Sequence, residues 1–163
     1  MLRYHTGGPV SESTRIADQL KRAYSGVAWH GPALLPLLRG VRAAQAAARP
    51  IPNAHSIWEL VLHTAAWDKA VQASIEGRQL KLTSKQNFPP VPNPPTEAAW
   101  REAVTALKNT HAQLVKIAAS LPDSRLKDRV PGKKHNVYAM LHGVVQHEIY
   151  HAGQIALLKK SRP

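Results

Sequence analysis

The feature that most constrains the fold is a helical run near the C-terminus with two histidines one turn apart. Residues 136–160 contain no proline, and apolar residues recur there at spacings of three and four. His147 and His151 lie on this apolar face, so their ring nitrogens can converge on one metal ion. Two core histidines with other hydrogen-bond partners would give the same pattern, but the paired spacing favours a metal. The face comprises Met140, Val144, His147, His151, Ile155 and Leu158.

A third ligand has to come from elsewhere in the chain. Residues 147–151 match the short His-Glu-x-x-His motif of zinc peptidases. Residues 152–163 contain no His, Asp, Glu or Cys, so we expect an upstream residue to complete the site. An earlier helix must then pack beside this one. Because a metal inside a helix bundle offers no sheet edge to an extended peptide, we do not expect a peptidase.

Composition limits the other classes of protein. The chain has 163 residues, of which 44% are hydrophobic, which suits one globular domain at residues 11–163 after a flexible arm at residues 1–10. The absence of cysteine leaves His, Asp and Glu as the metal ligands. No apolar run is long enough for a membrane span, and the N-terminus lacks the apolar core of a signal peptide. We therefore expect a cytoplasmic protein with no membrane partner.

The net charge of +12 is spread along the chain without a block of like charges. This distribution is typical of a solvated basic surface, and it would also attract an anionic substrate. The aromatic residues do not alternate with Lys and Arg as they would on a base-stacking surface. We therefore do not expect a nucleic-acid partner.

Four long amphipathic segments predict an all-α fold, a four-helix bundle. Ser56 with Glu59 forms a capping box, and Thr96 and Asn136 are expected to cap the two later helices. The proline-rich residues 78–95 are expected to join distant ends of the bundle or to cover the mouth of a site. The long helices are predicted at about residues 12–29, 57–76, 97–120 and 137–160, with short helices at 33–38 and 42–48 and a loop at 125–135.

His63 is the expected third ligand. It lies between Leu60 and Trp67 on the apolar stripe of the second long helix. Alone it would be interpreted as a core histidine, but beside the histidine pair it completes a three-histidine site. His111 lies near the stripe of the third long helix and is expected to be a core residue. His5, His111 and His135 are all expected to be dispensable for metal binding.

Three neutral imidazoles with one open position resemble a catalytic zinc site rather than a structural one. Zinc is the expected ion, although Ni, Fe, Co and Mn accept the same ligands. Glu148 lies within ~60° of His151 around the helix. We expect it to be catalytic, as a base for water activated by the ion, or to support a ligand; an ordinary surface glutamate is the alternative. Gln154 lies one turn after His151 and could hydrogen-bond a ligand or an imidazole.

Two stretches carry a family resemblance. The segment Ser56-Ile57-Trp58-Glu59-Leu60-Val61-Leu62-His63, followed far downstream by His147-x-x-x-His151-Ala152-Gly153-Gln154-Ile155, resembles the DinB/YfiT-like superfamily. The early Trp29-His30-Gly31 stretch is similar as well. The resemblance implies an up-down-down-up four-helix bundle, often a homodimer, with a divalent metal on three histidines. Carried over by position, these are His63, His147 and His151.

The resemblance also bears on function. Activities in this superfamily include transferases and isomerases that use bacillithiol or mycothiol, and a hydrolase that opens a reactive cyclopropane. It therefore implies a metal-dependent enzyme acting on a small molecule, either a hydrolase or a low-molecular-weight-thiol S-transferase with a thiol cofactor. The alternative is a non-catalytic stress-response protein that binds a metal or a small molecule. Turnover with and without a chelator separates the two.

Overall fold

The computed structural model describes residues 10–79 and 81–161, and within them it contains α-helices and no strand. The predicted all-α class is confirmed. The predicted flexible arm, apart from Val10, lies outside the described residues. The helices are α1 (Glu12–Tyr24), α2 (Leu34–Leu37), α3 (Ala43–Ala47), α4 (Ile57–Ile75), α5 (Ser84–Asn87), α6 (Glu97–Ser120), a 3₁₀ helix (Asp123–Lys127) and α7 (Val137–Lys160).

The four long helices form a bundle in which α1 and α4 each pack against both α6 and α7. Trp58 and Trp100, near the starts of α4 and α6, have ring centroids 5.2 Å apart. Gln72 near the end of α4 donates a hydrogen bond to the Thr110 carbonyl in α6. These two helices are therefore parallel, which requires the long connection between them.

The remaining contacts fix the directions of α1 and α7. Ser13 at the start of α1 hydrogen-bonds Asp123, just beyond the end of α6, so α1 and α6 are antiparallel. Ile57 at the start of α4 and Leu158 near the end of α7 belong to the same core cluster. The other core cluster joins the end of α4 to the start of α7. The order is therefore up-down-down-up.

Side-chain caps define where the helices begin. Ser56 accepts a hydrogen bond from the Glu59 amide, and the Glu59 carboxylate accepts one from the Ser56 amide, which is the predicted capping box. Thr96 and Asn136 accept hydrogen bonds from the third residue of α6 and α7 respectively. These predicted starts are confirmed, and Ser11 caps α1.

The predicted end of the first helix was wrong. α1 ends at Tyr24 rather than at Trp29, and Val27 is exposed rather than part of the stripe. The Gly26 amide bonds back to the Lys21 carbonyl, and a Cβ on Gly26 would lie 2.9 Å from a backbone atom of Arg22. The chain therefore turns away at a position where only glycine fits.

Two short helices were also missed. The predicted loop at residues 125–135 begins inside the 3₁₀ helix, and the proline-rich connection contains α5. Thr83 starts α5 with a capping box to Gln86. Because α5 is only one turn long, hydrophobic periodicity could not reveal it.

Across the described parts of the chain, every helix is too short or too polar to cross a membrane.

Candidate metal centre

The three predicted ligands meet at one point between α4 and α7. His147 Nε2 lies 3.0 Å from His63 Nε2 and 3.0 Å from His151 Nε2. His63 and His151 are buried, whereas His147 is half-buried. The spacing of one turn on α7 and the antiparallel packing of α4 together produce this convergence.

The hydrogen bonds of Nδ1 in His63 and His151 determine the protonation of Nε2 in the same rings. His63 Nδ1 donates to the Asn87 carbonyl at 2.8 Å, and His151 Nδ1 donates to Gln154 Oε1 at 2.6 Å. A neutral imidazole carries one N–H, so both Nε2 atoms bear lone pairs. Since His147 can donate only one proton, at least one of the two 3.0 Å contacts brings two lone pairs together. A cation at the shared point removes that conflict, so the donor set fits a metal ion.

The surroundings also keep the rings uncharged. Burial lowers the pKa of His147 to about 3, with repulsion from His151 and His63 adding to the effect. Burial likewise lowers the pKa of His63 and of His151, despite their hydrogen bonds to Asn87 and Gln154. Three neutral imidazoles at neutral pH are the form that binds a metal.

The connection between α4 and α6 holds His63 in place. The Phe88 ring stacks on His63 with centroids 4.2 Å apart, beside the Asn87 carbonyl. Trp67 Nε1 donates to Asn87 Oδ1 at 2.8 Å, which ties the connection to α4 a second time. The sequence predicted only that this stretch would join distant ends of the bundle or cover a site, without naming residues. The roles of Asn87 and Phe88 were missed. A backbone carbonyl such as that of Asn87 leaves no mark in the sequence, and the stacking of Phe88 on His63 depends on the path of the connection.

A mostly apolar pocket of about 580 Å³ opens beside the three histidines. Trp67 and Tyr150 are partly exposed at its rim. Trp29 and His30 line a separate depression with Ile149. The pocket is lined by His63, Trp67, Val71, Asn87, His135, Ala139, Met140, Gly143, Val144, His147, Tyr150 and His151, with no Asp or Glu among them.

The family model of the DinB superfamily matches residues 28–155, which is most of the chain and includes all three histidines. The chain belongs to the DinB superfamily. A comparison with curated proteins gave no match. The family and the buried three-histidine group together fit a metal-binding DinB protein.

Glu148 of this DinB protein contacts a different set of residues. Its side chain is fully buried, and Oε1 lies 2.7 Å from His111 Nδ1. Asp68 Oδ2 lies 3.6 Å from the same nitrogen, with Asp68 also fully buried. We call Asp68, His111 and Glu148 the core triad. Because Glu148 points into this triad and does not line the pocket, its catalytic role stays a prediction.

The core triad perturbs each of its members. Burial raises the pKa of Glu148 to about 7, and it raises the pKa of Asp68. Burial alone would lower the pKa of His111, but its contacts with Asp68 and Glu148 outweigh this and raise that pKa to about 9. The Tyr24 ring from α1 stacks on His111 with centroids 4.0 Å apart. His111 is thus a core residue, as expected, but not an isolated one.

The remaining polar candidates interact with their immediate neighbours. Glu59 is occupied by the cap of α4 and by an ion pair with Arg49, which agrees with the capping role inferred from sequence. His142 packs beside Tyr138 and does not line the pocket beside the three histidines. Gln154 bonds an imidazole, one of its two expected partners. His5 lies outside the described residues.

Proposed function

We propose that this DinB protein is a metal-dependent S-transferase that joins a low-molecular-weight thiol to a small, largely apolar molecule. The observation that carries the proposal is three neutral imidazoles facing one point at the wall of an apolar pocket that contains no carboxylate. A thiolate attacks without a base once it is ionised, whereas water at neutral pH usually needs one.

Zinc is the ion we expect, with Ni, Fe, Co and Mn as alternatives, and when bound it supplies Lewis-acid chemistry that lowers the pKa of a thiol or of water. The protein's own residues prepare that site. Asn87 and Gln154 fix the ring orientations of His63 and His151, so that Nε2 lone pairs face inward. The apolar pocket walls bind the hydrophobic part of a substrate and exclude water from it.

Hydrolysis is the second candidate, and one observation favours it. Glu148 directly follows His147, and burial raises its pKa to about 7, which suits a general base near neutrality. In this mechanism Glu148 is the catalytic base, as predicted from sequence. Its route to the pocket would require the carboxylate to leave His111.

A thiol panel tests the proposed activity. Purified protein loaded with each metal is incubated with an electrophile and with cysteine, glutathione, bacillithiol or mycothiol, and thiol consumption is measured. We expect metal-dependent turnover that a chelator and His147→Ala abolish. His142→Ala, which changes another histidine of α7 outside the site, is the matched control and keeps full rate. Metal binding without turnover with any thiol or hydrolysable substrate would favour the non-catalytic binding protein.

Two conservative variants separate the reactions. In the S-transferase, Glu148→Gln and Asp68→Asn change the core triad alike and both retain most activity. If Glu148 is a base for water, Glu148→Gln loses roughly 10²–10⁴-fold in rate while Asp68→Asn does not. Equal, large losses in both variants would instead show that the core triad positions the site.

A further inference from the structure

We propose that Asp68, His111 and Glu148 form a second divalent-cation site, sealed inside the bundle and distinct from the three-histidine centre. Its three side chains come from α4, α6 and α7, so a bound ion would join three of the four long helices.

The geometry of the core triad suits one ion. Each side chain offers one ligand atom, and these three atoms lie within 4.8 Å of one another. His111 Nδ1 is 2.7 Å from Glu148 Oε1 and 3.6 Å from Asp68 Oδ2. Ligands about 2.1 Å from an ion are about 3.0–3.4 Å apart in octahedral or tetrahedral geometry. Small side-chain adjustments would therefore let all three reach a common ion.

The polar atoms of the core triad lack good hydrogen bonds. His111 Nδ1 and Glu148 Oε1 are 2.7 Å apart as an ion pair, yet neither atom has a hydrogen-bond partner of acceptable geometry. Both oxygens of Asp68, both oxygens of Glu148 and both nitrogens of His111 are buried without a hydrogen-bond partner. Buried polar groups in proteins are nearly always satisfied, and an exception calls for a cause such as an ion.

The charge of the core triad is also unbalanced. Among the described residues, the only cationic side chain within 4.0 Å of Asp68 or Glu148 is His111. If both carboxyls are ionised, the single imidazolium leaves a net negative charge in the core, which is costly to bury. Two carboxylates with a neutral imidazole and a divalent cation are neutral. The mixed oxygen and nitrogen ligands suit Mn²⁺, Fe²⁺ or Zn²⁺.

Metal counting tests the inference. Protein freed of metal is dialysed against Mn²⁺ or Zn²⁺, and the bound ions per chain are measured by elemental analysis. We expect two ions in the wild type, one in His147→Ala, one in Asp68→Asn and none in the double variant. Asp18→Asn, which changes an exposed aspartate of α1, is the control and keeps two. Wild-type protein that binds one ion and loses it in His147→Ala would overturn the proposal.

A second measurement keeps the proposal testable if Asp68→Asn does not fold. Crystals of the wild type grown with Mn²⁺ are measured for anomalous scattering. We expect a peak among Asp68, His111 and Glu148 in addition to any peak at the three histidines. A core triad without a peak, at Mn²⁺ concentrations that fill the other centre, would show a purely proton-linked network and contradict the proposal.

Discussion

Two clusters of ionisable side chains share α4 and α7 but face different surroundings. His63 and Asp68 lie on α4 about 140° apart, and His147 and Glu148 lie on α7 about 100° apart. The three histidines border a pocket. Nδ1 of His63 and Nδ1 of His151 are each hydrogen-bonded to a neighbouring residue. The core triad is sealed from solvent, and its polar atoms are unsatisfied.

The two clusters differ in their access to solvent. A centre with uncharged rings beside an open pocket can exchange ligands, which catalysis requires. The core triad is buried away from the pocket, and its three side chains come from three of the long helices. The same pair of helices thus presents three histidines to a pocket on one side and contributes two carboxyls to a sealed cluster on the other.

The largest expected effect is on stability. His111→Ala leaves two buried carboxylates without their cationic partner, so we expect the metal-free protein to lose about 3–5 kcal/mol of unfolding free energy. His63→Ala should cost only about 1 kcal/mol, a typical value for a single substitution. Urea unfolding measured with chelator present compares the two. Equal losses of unfolding free energy in the two variants would contradict a larger stabilising role for the core triad.

Metal affinity at the three-histidine centre should depend strongly on His63, although stability depends on it only weakly. His63→Ala removes one of three ligands, and we expect at least about 100-fold weaker binding at the three-histidine centre, more than the loss of an outer partner causes. His142→Ala should bind as the wild type does. Competition with a chromogenic chelator measures both. Unchanged affinity in the His63→Ala protein would rule out the arrangement.

A smaller effect is expected at Gln154. Its Oε1 fixes the proton of His151 on Nδ1, so Gln154→Ala should weaken metal binding by about 10-fold, the lower end for such partners. The same competition assay applies, and unfolding in chelator should be nearly unchanged. A large loss of stability without a loss of affinity would mean that Gln154 serves packing instead.

A pH dependence with opposite signs should also distinguish the two clusters. In metal-free protein the pKa of His147 is lowered from 6.5 to about 3, so the contribution of His147 to the free energy of unfolding falls as pH falls through this window. The pKa of His111 is raised from 6.5 to about 9, so its contribution is complete below pH 6.5 and is lost as pH rises through 9. His147→Ala should flatten only the acid side in urea unfolding at several pH values. An unchanged acid side would exclude His147 as its source.

The sequence predicted the helical frame and the three histidines for the same reason. Caps such as Ser56, Thr96 and Asn136 and the spacing of apolar residues are local signals, and so is the pair on α7. His63 could be assigned because it is a histidine within an apolar stripe, and the pair on α7 needed a third ligand from an earlier helix.

The core triad could not be predicted in this way. Asp68 lies on a helix that also carries His63, and one helix alone does not show what faces it. The contact between Glu148 and His111 depends on the relative rotation of α6 and α7, which periodicity does not give. The end of α1 failed for a different reason, since the close approach at Gly26 is a property of the folded chain rather than of its hydrophobic pattern.

The contact between Asn87 and His63 has a consequence for how such a protein can diversify. His63, one of the three histidines, contacts the connection between α4 and α6 through its outer nitrogen and its ring face. Insertions or substitutions around residues 81–95 could therefore retune the ion and reshape the pocket entrance at once, while the helices stay as they are. A library confined to this connection would explore new pocket shapes while leaving the four long helices unchanged.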